Sequence, residues 1–447
     1  MRANLVSPSS AHLSYAIRDI VSFAELVRRH GVEITWENIG DPVAKGERVE
    51  PWIRQIMHEV LEIEDSWGYC PTEGFLEARE ALAEHVNARP GARVTPADII
   101  FFNGVADAVA KVYGFLSAHA RVIGPSPAYS THSSAESAHC ALPHLTYDLD
   151  PENSWMPDFV DLRRKLESYP AIAGILLINP NNPTGAVYPP EVLERFVALA
   201  REFDLFLVAD EIYIHMVFPG VETVHLSEVA TDVPAVVMRG ISKEVPWPGS
   251  RCGWIEVLNR SRDQNFSAYI DSVLAAKRLE VCSTSGPQLA VPRIFGDPRY
   301  ADHLARRAQT FAKRAQQAYE ILRQVPGIKV HPAQGAFYMT VLFEAGTLTG
   351  TNRLPIADPQ LRELVEQQCK GAAPDACFVY QLLASTGICV VPLSGFFTPR
   401  PGFRFTLLET DDAKREWIFR TLAEALTTYI ESGKTSSRPV ERSLART

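Results

Sequence analysis

The sequence predicts an α/β fold, with a large domain built on a mostly parallel sheet flanked by helices and a smaller α+β domain built from both termini. Three observations carry that prediction. Short, wholly apolar runs end in turn signals and alternate with segments of helical period. The runs lack the in–out alternation of a half-exposed sheet, so helices are expected on both faces. Beyond about residue 325 the alternation becomes irregular, which marks a second domain.

The expected strands are 98–104 (DIIFFNG), 120–126 (ARVIGPS), 173–180 (AGILLINP), 205–213 (LFLVADEIY), 235–242 (AVVMRGIS) and 252–258 (CGWIEVL). Amphipathic stretches such as 191–203 (EVLERFVALAREF) lie between them, and a long charged helix covers roughly 300–325. KVHPAQGAFYMTVLF, a Gly/Thr/Pro-rich stretch at 345–358, a helix, GICVVPLSGFF and GFRFTLLE then read as the smaller domain. The expected boundaries are 1–55 for an N-terminal arm and part of the small domain, 56–320 for the large domain, 321–432 for the small C-terminal domain and 433–447 for a loose polar tail. The role of the insertion at 344–372 stays open.

Composition excludes several classes. The 447 residues carry 44 Lys plus Arg against 53 Asp plus Glu, a net charge of −9, so neither a nucleic-acid nor a membrane partner is expected. With 46% hydrophobic and 22% charged residues the chain is neither disordered nor fibrous. Cysteines at 70, 140, 252, 282, 369, 377 and 389 form no CxxC and read as buried thiols of a reducing compartment, which together with an N-terminus lacking an apolar h-region suggests a cytoplasmic protein. The longest aliphatic run, 171–178, is far short of the ~20 residues of a spanning helix. GxGxxG, Walker and GxSxG motifs are absent. His132 and His139 lack carboxylate or cysteine partners at metal spacing, so they read as surface or packing residues and no metal site is expected.

Four segments place unusual chemistry at strand ends. NPNNPTG (179–185) forces a turn after an apolar strand and projects the Asn182 amide over the sheet edge. ADEIY (209–213) closes an apolar run with Asp210, which is costly to desolvate unless a cation meets it. GISKEVPWPGSRCGW (240–254) puts the Ser242–Lys243 pair at the same edge and Arg251 eight residues on. GFRF sets Arg404 between two phenylalanines, a setting that often buries a guanidinium to hold a carboxylate or phosphate. Each has a bland alternative: a strand-to-helix turn, a helix N-cap, a solvated lysine, an outward arginine.

In this order and spacing the four segments make the chain resemble the pyridoxal-phosphate (PLP) aminotransferases of class I/II, with the aspartate aminotransferase fold, from about IGDP (39–42) to GFRF. The resemblance implies a PLP enzyme that moves an amino group between an amino acid and a 2-oxoacid by a ping-pong mechanism. It implies Lys243 as the Schiff-base lysine with Ser242 beside it, Asp210 as partner of the pyridinium nitrogen, and Tyr213 and Asn182 as ligands of the phenolic oxygen. Tyr129 would stack on the ring. Arg251 and the amides of Gly104, Val105 and Ala106 would hold the phosphate, joined by Tyr69 from the neighbouring subunit of a homodimer with shared active sites. Arg404, with Asn182 and the Gly40 backbone, would take the substrate α-carboxylate. Gly240 departs from the family, which often has a serine phosphate donor there. The segment 373–396 looks like alanine aminotransferases, implying alanine or glutamate with 2-oxoglutarate or pyruvate. A C–S β-lyase on the same fold, or an aromatic or branched-chain aminotransferase, are the alternatives. A regulator built on such a domain is not expected, because only some 35 residues precede IGDP and no helix-turn-helix pattern appears.

Overall fold

The apolar runs become strands of one eight-stranded sheet in a computed structural model that describes residues 5–13 and 16–436. In chain order the strands are β1 (Ile99–Asn103), β2 (Arg121–Ser126), β3 (Thr146–Asp150), β4 (Met156–Pro157), β5 (Ile172–Ile178), β6 (Phe206–Asp210), β7 (Ala235–Gly240) and β8 (Cys252–Leu258). Across the sheet they run β1-β8-β7-β6-β5-β2-β3-β4. The central pairs β7/β6, β6/β5, β5/β2 and β2/β3 are parallel, while β8 runs antiparallel to both β1 and β7, and β4 to β3. All six expected strands are present. The two unexpected ones, β3 and β4, lie at the edge, and β3 alternates partly and fully buried positions (TYDLD) instead of forming an apolar run.

Period-2 alternation gives this sheet two different faces. Ile178, Val208, Met238, Ile255 and Phe102 join one apolar cluster with Val109 and Val112 of the helix Val105–Gly114 and with Ile270 and Val273 of the helix Gln264–Arg278. Asp210 follows Val208 by two residues and so extends that face beyond the cluster. Glu211, Arg239 and Glu256 stand on alternate positions, and Glu256 is opposite Val237 in the β7/β8 ladder.

The chain divides into two units. One contains the described residues of 5–13, 40–314 and 333–338, and with them the large sheet. The other comprises 16–39, 315–332 and the described residues from 339 to 436. Residues 40–55, expected with the small domain, group with the large unit. The smaller sheet has strands β9 (Ile328–Val330), β10 (Tyr338–Phe343), β11 (Val391–Pro392) and β12 (Gly402–Thr406) in the order β9-β10-β12-β11. N-terminal residues contribute to the second unit through the parallel pairing of Thr35–Trp36 with Ile388–Cys389. The last helix, Asp412–Ser436, runs four residues into the stretch expected as tail; 437–447 lie outside the described residues. Among the described residues no helix is long and apolar enough to cross a membrane. Cys70, Cys252 and Cys389 are buried as expected, whereas the other four thiols are partly exposed.

Candidate active site

β6 ends on Asp210, which is 3% exposed. A carboxylate buried at the end of an apolar strand needs a partner. It has two: His132 Nε2 lies 3.1 Å from Oδ2, and the Ile212 amide donates to Oδ1 at 3.1 Å. His132 is wholly buried, and its Nδ1 is 3.4 Å from the Tyr113 hydroxyl. Burial holds the Tyr113 phenol well above its ordinary pKa, so it stays protonated beside the imidazole. This corrects the reading of His132 as a surface or packing residue without a carboxylate partner. Its partner is 78 residues away in sequence, beyond any local spacing rule. His139, in contrast, is partly exposed, with Nε2 2.9 Å from the Ser117 carbonyl. The Tyr129 ring lies edge-on to His132, with centroids 6.4 Å apart.

Near Asp210, the buried Tyr213 hydroxyl is 3.0 Å from that of Tyr338. Burial, reinforced by Tyr338, pushes the Tyr213 pKa well above its ordinary value, keeping the phenol protonated. Tyr338 went unmarked in the sequence because an aromatic at the start of a strand carries no local signal. A Cβ on Gly40 would run into the Tyr338 ring, so glycine alone allows this close approach. Gly40 O in turn accepts from Lys243 Nζ at 2.6 Å, and the Phe337 ring centroid is 5.7 Å from the same amine. Ser242, next to the lysine, is buried.

The NPNNPTG turn is locked by its own amides. Asn179 Oδ1 accepts from the Tyr188 amide at 2.8 Å, its Nδ2 donates to Thr223 Oγ1 at 3.1 Å, and Asn181 Oδ1 accepts from the Thr184 hydroxyl at 2.8 Å. Asn182 is held buried within this braced turn.

A second cluster is built for an anion. Gly104 precedes the helix Val105–Gly114 with φ +83°, and a Cβ there would lie 2.6 Å from Arg251 Nη2. Arg251 is itself left-handed (φ +49°) and donates to Pro248 O at 3.2 Å and Asn103 O at 3.3 Å. A Cβ on Gly253 would come 2.8 Å from the Val105 amide. The two glycines thus bring a guanidinium against the first amides of a helix, a cradle suited to phosphate. A side chain at Gly240 would meet the Cys252 carbonyl at 2.8 Å, so this chain has no room for the family's serine there.

The residues beside Asp210 and Lys243 belong to another network. Glu211 accepts from the Leu226 amide at 2.7 Å and is 3.1 Å from His225 Nδ1; Glu244 is 2.6 Å from His215 Nδ1. Arg239 reaches His215 Nε2 at 3.2 Å and pairs with Glu256 at 3.7 Å. Burial alone would raise Glu244, but His215 and Arg239 outweigh it and hold its pKa at about 2. Burial dominates for Glu211 and Glu256 and raises both. Nothing in the sequence reading anticipated this network.

Of the remaining expected residues, Arg404 belongs to the second unit and Tyr69 to the first. Arg404 is 1% exposed on β12, donates to Asn38 O and lies 5.1 Å from the Phe396 ring centroid. Tyr69 is 86% exposed, near Trp67 at 73%.

A phosphorylated pyridine asks for an anion cradle, a buried carboxylate for its ring nitrogen and an amine. Gly104–Arg251, Asp210 and Lys243 answer each requirement within the larger unit. The family model for aminotransferase class I and II matches residues 38–418. An uncharacterized aminotransferase of Methanocaldococcus jannaschii is 51% identical over 97% of this chain and 100% of its own length. The glutamate-pyruvate aminotransferase of Escherichia coli K12 is 28% identical over 73% of this chain and 80% of its own. The solved alanine aminotransferase of Pyrococcus furiosus superimposes with a TM-score of 0.80 at 26% identity, covering 96% of this chain and 100% of that one. The chain belongs to the class I and II aminotransferases.

Proposed function

We propose that this PLP-dependent aminotransferase exchanges the amino group between alanine and 2-oxoglutarate, or in reverse between glutamate and pyruvate. The observation that carries the site assignment is Asp210, buried at a strand end and backed by His132, in the same unit as the Lys243 amine. The substrate pair rests on the likeness to the glutamate-pyruvate enzyme of E. coli and the alanine enzyme of P. furiosus.

The cofactor, when bound, supplies an electron sink for the substrate's Cα. Lys243 Nζ would hold the cofactor and would move the proton at the substrate's Cα. Asp210 holds a proton on the ring nitrogen, and His132 fixes the orientation of that carboxylate. The protonated Tyr213 hydroxyl and the Asn182 amide would donate to the phenolic oxygen, and Tyr129 would cover the ring. Arg251 and the amides of Gly104, Val105 and Ala106 would anchor the phosphate end, and Ser242 would contact the cofactor beside Lys243. Arg404 takes the α-carboxylate, with Asn182 and the Gly40 backbone assisting. The exposure of Tyr69 and Trp67 supports a homodimer in which Tyr69 serves the partner's phosphate. Seven unpaired thiols support a cytoplasmic setting.

The test is a half-reaction panel. Purified enzyme is given alanine, glutamate, aromatic or branched-chain amino acids, with and without a 2-oxoacid, and pyridoxamine phosphate and ammonia are followed. Alanine and glutamate should convert the cofactor fastest without releasing ammonia. Ammonia and pyruvate formed without an acceptor would indicate a lyase and overturn the proposal; faster conversion by an aromatic or branched-chain donor would overturn the substrate pair.

A further inference from the structure

Lys243 is held at both ends by one ring of contacts. The turn after β7 carries the main-chain oxygens of Lys243 and Glu244, and side chains from the helix Arg299–Leu322 meet both. Arg307 Nη1 donates to Lys243 O at 2.7 Å and to Glu244 O at 3.0 Å, and His303 Nε2 is 2.9 Å from Glu244 O. The rest of the same guanidinium grips Glu47 in a two-pronged pair, Nε to Oε1 at 2.5 Å and Nη2 to Oε2 at 3.0 Å. Glu47 ends a short loop whose turns lead back to Gly40: its amide donates to Pro42 O at 2.9 Å, and Asp41 Oδ1 accepts from the Val43 and Ala44 amides at 3.0 and 3.1 Å. Gly40 O receives the Lys243 amine at 2.6 Å, which closes the ring. Aromatic contacts run the same way. The Arg307 guanidinium is 5.4 Å from the Phe311 ring centroid, Phe311 is 5.6 Å from Phe337, and Phe337 is 5.7 Å from Lys243 Nζ.

A lysine on a flexible four-carbon stem loses rotamer entropy when it is fixed. Proton transfer needs its amine at a defined place, because an error of about 1 Å can cost on the order of 10²-fold in rate. Arg307 is buried, and its rigid fork alone can serve two carbonyls and a carboxylate at once. We propose that Arg307, tethered to Glu47, is a positioning residue for Lys243 that sets both where its main chain lies and where its amine rests on Gly40 O. The role in turnover depends on the reading of Lys243 as the cofactor lysine; the effect on the amine itself does not.

The experiment uses the full chain with Arg307→Ala, Arg307→Lys, Glu47→Gln and the Arg307→Ala/Glu47→Gln pair. In apoprotein, the rate at which an amine-reactive reagent labels Lys243 is measured by peptide mass spectrometry across pH. In holoenzyme, the pH midpoint of the cofactor's visible band, kcat and KM are measured per loaded site. Arg307→Ala should raise Lys243 labelling several-fold, move the band's midpoint by about half a pH unit or more, and lower kcat on the order of 10- to 100-fold with a smaller change in KM. Arg307→Lys should recover part of each effect. Glu47→Gln should act in the same direction, and the double variant should be no worse than Arg307→Ala. Unchanged labelling and an unchanged midpoint in folded Arg307→Ala would overturn the proposal. If that variant does not fold, the same null result in both Arg307→Lys and Glu47→Gln overturns it. A wild-type enzyme that transfers no amino group but shows the labelling change would refute the functional reading and leave the positioning intact.

Discussion

The two faces of the large sheet end in opposite ways. On one, the apolar cluster of Ile178, Val208 and Met238 gives way at the strand ends to Asp210 and His132, a sparse polar set with few contacts. On the other, Glu211, Arg239, Glu244 and Glu256 join His215 and His225 in a dense buried network that is largely satisfied from within. Neighbouring residues take opposite parts: Asp210 against Glu211, Lys243 against Glu244. Alternation at the end of β6 separates the first pair, and the turn after β7 separates the second. The sparse face can lend its protons and donors to a ligand; the dense face holds its charges fixed and braces the strands. Substitutions on the first should therefore act on rate, and those on the second on stability.

The largest expected effect is that of Lys243→Ala, which should lower turnover by about 10⁴-fold while the cofactor is retained through Arg251 and Asp210, as read by absorbance after dialysis. A matched pair then tests the contrast directly. Asp210→Asn should lose on the order of 10²- to 10³-fold in kcat/KM with little change in urea midpoint. Glu211→Gln should lose up to about 3–5 kcal/mol of stability while each folded site keeps its rate. If Glu211→Gln loses rate and Asp210→Asn loses stability, the division into two faces is wrong.

The contrast also explains what was legible in the sequence. Asp210, Lys243, Asn182 and Arg251 sit where apolar runs stop, and a run that ends in a charge can be read locally. The six buried strands were visible for the same reason, whereas β3 was not, because edge exposure replaced its apolar run with alternation. His132, Tyr338, Arg307 and the Arg239 network escaped because their partners are distant in sequence. Tyr213 meets Tyr338 across 125 residues, and Arg307 meets Glu47 across 260. No periodicity encodes such pairs. Gly253 was equally silent, and Gly104 was marked only for its amide: the reason both must be glycine shows when a Cβ is placed against the Val105 amide or Arg251.

Smaller effects sharpen the comparison. In the proposed role, Arg404→Ala would remove a charge-assisted carboxylate contact of about 2–5 kcal/mol, so kcat/KM should fall roughly 30-fold or more for every amino donor, at 1.4 kcal/mol per decade. Arg404→Lys should restore little, because a lysine cannot make the bidentate pair. Gly104→Ala puts a Cβ at φ +83° and against Arg251, a strain of about 1 kcal/mol or more. Its cofactor affinity, titrated fluorimetrically, should fall several-fold, with the rate of the loaded enzyme kept.

The last prediction belongs to the dense face alone and concerns pH. Burial, with Arg239 and Arg89 nearby, lowers His85 to about 3, and burial lowers His225 as well. Both therefore stay neutral in the folded chain, while in the unfolded chain each gains a proton below about pH 6.5. The unfolded state then binds more protons, so stability falls as pH drops, by at most about 1.4 kcal/mol per pH unit for each histidine. Glu244 has the depressed carboxylate's sign: its contribution is complete above about 4.5 and is lost as pH falls towards about 2. Between pH 4.5 and 6.5 the histidines act and Glu244 does not. The His85 ring packs 5.5 Å from Phe295 and 6.1 Å from His215, and Arg239, Arg89, His215 and Glu244 are the charged or titratable groups that act on it. His85→Phe keeps a ring there without the titration. Its urea midpoint should match wild type near pH 8 and fall less steeply between 6.5 and 4.5, since His85's share of the proton-linked loss is gone while those of His225, His144 and His303 remain. An identical slope in wild type and variant would mean that His85 takes up its proton in the folded state and that the dense face is open to solvent.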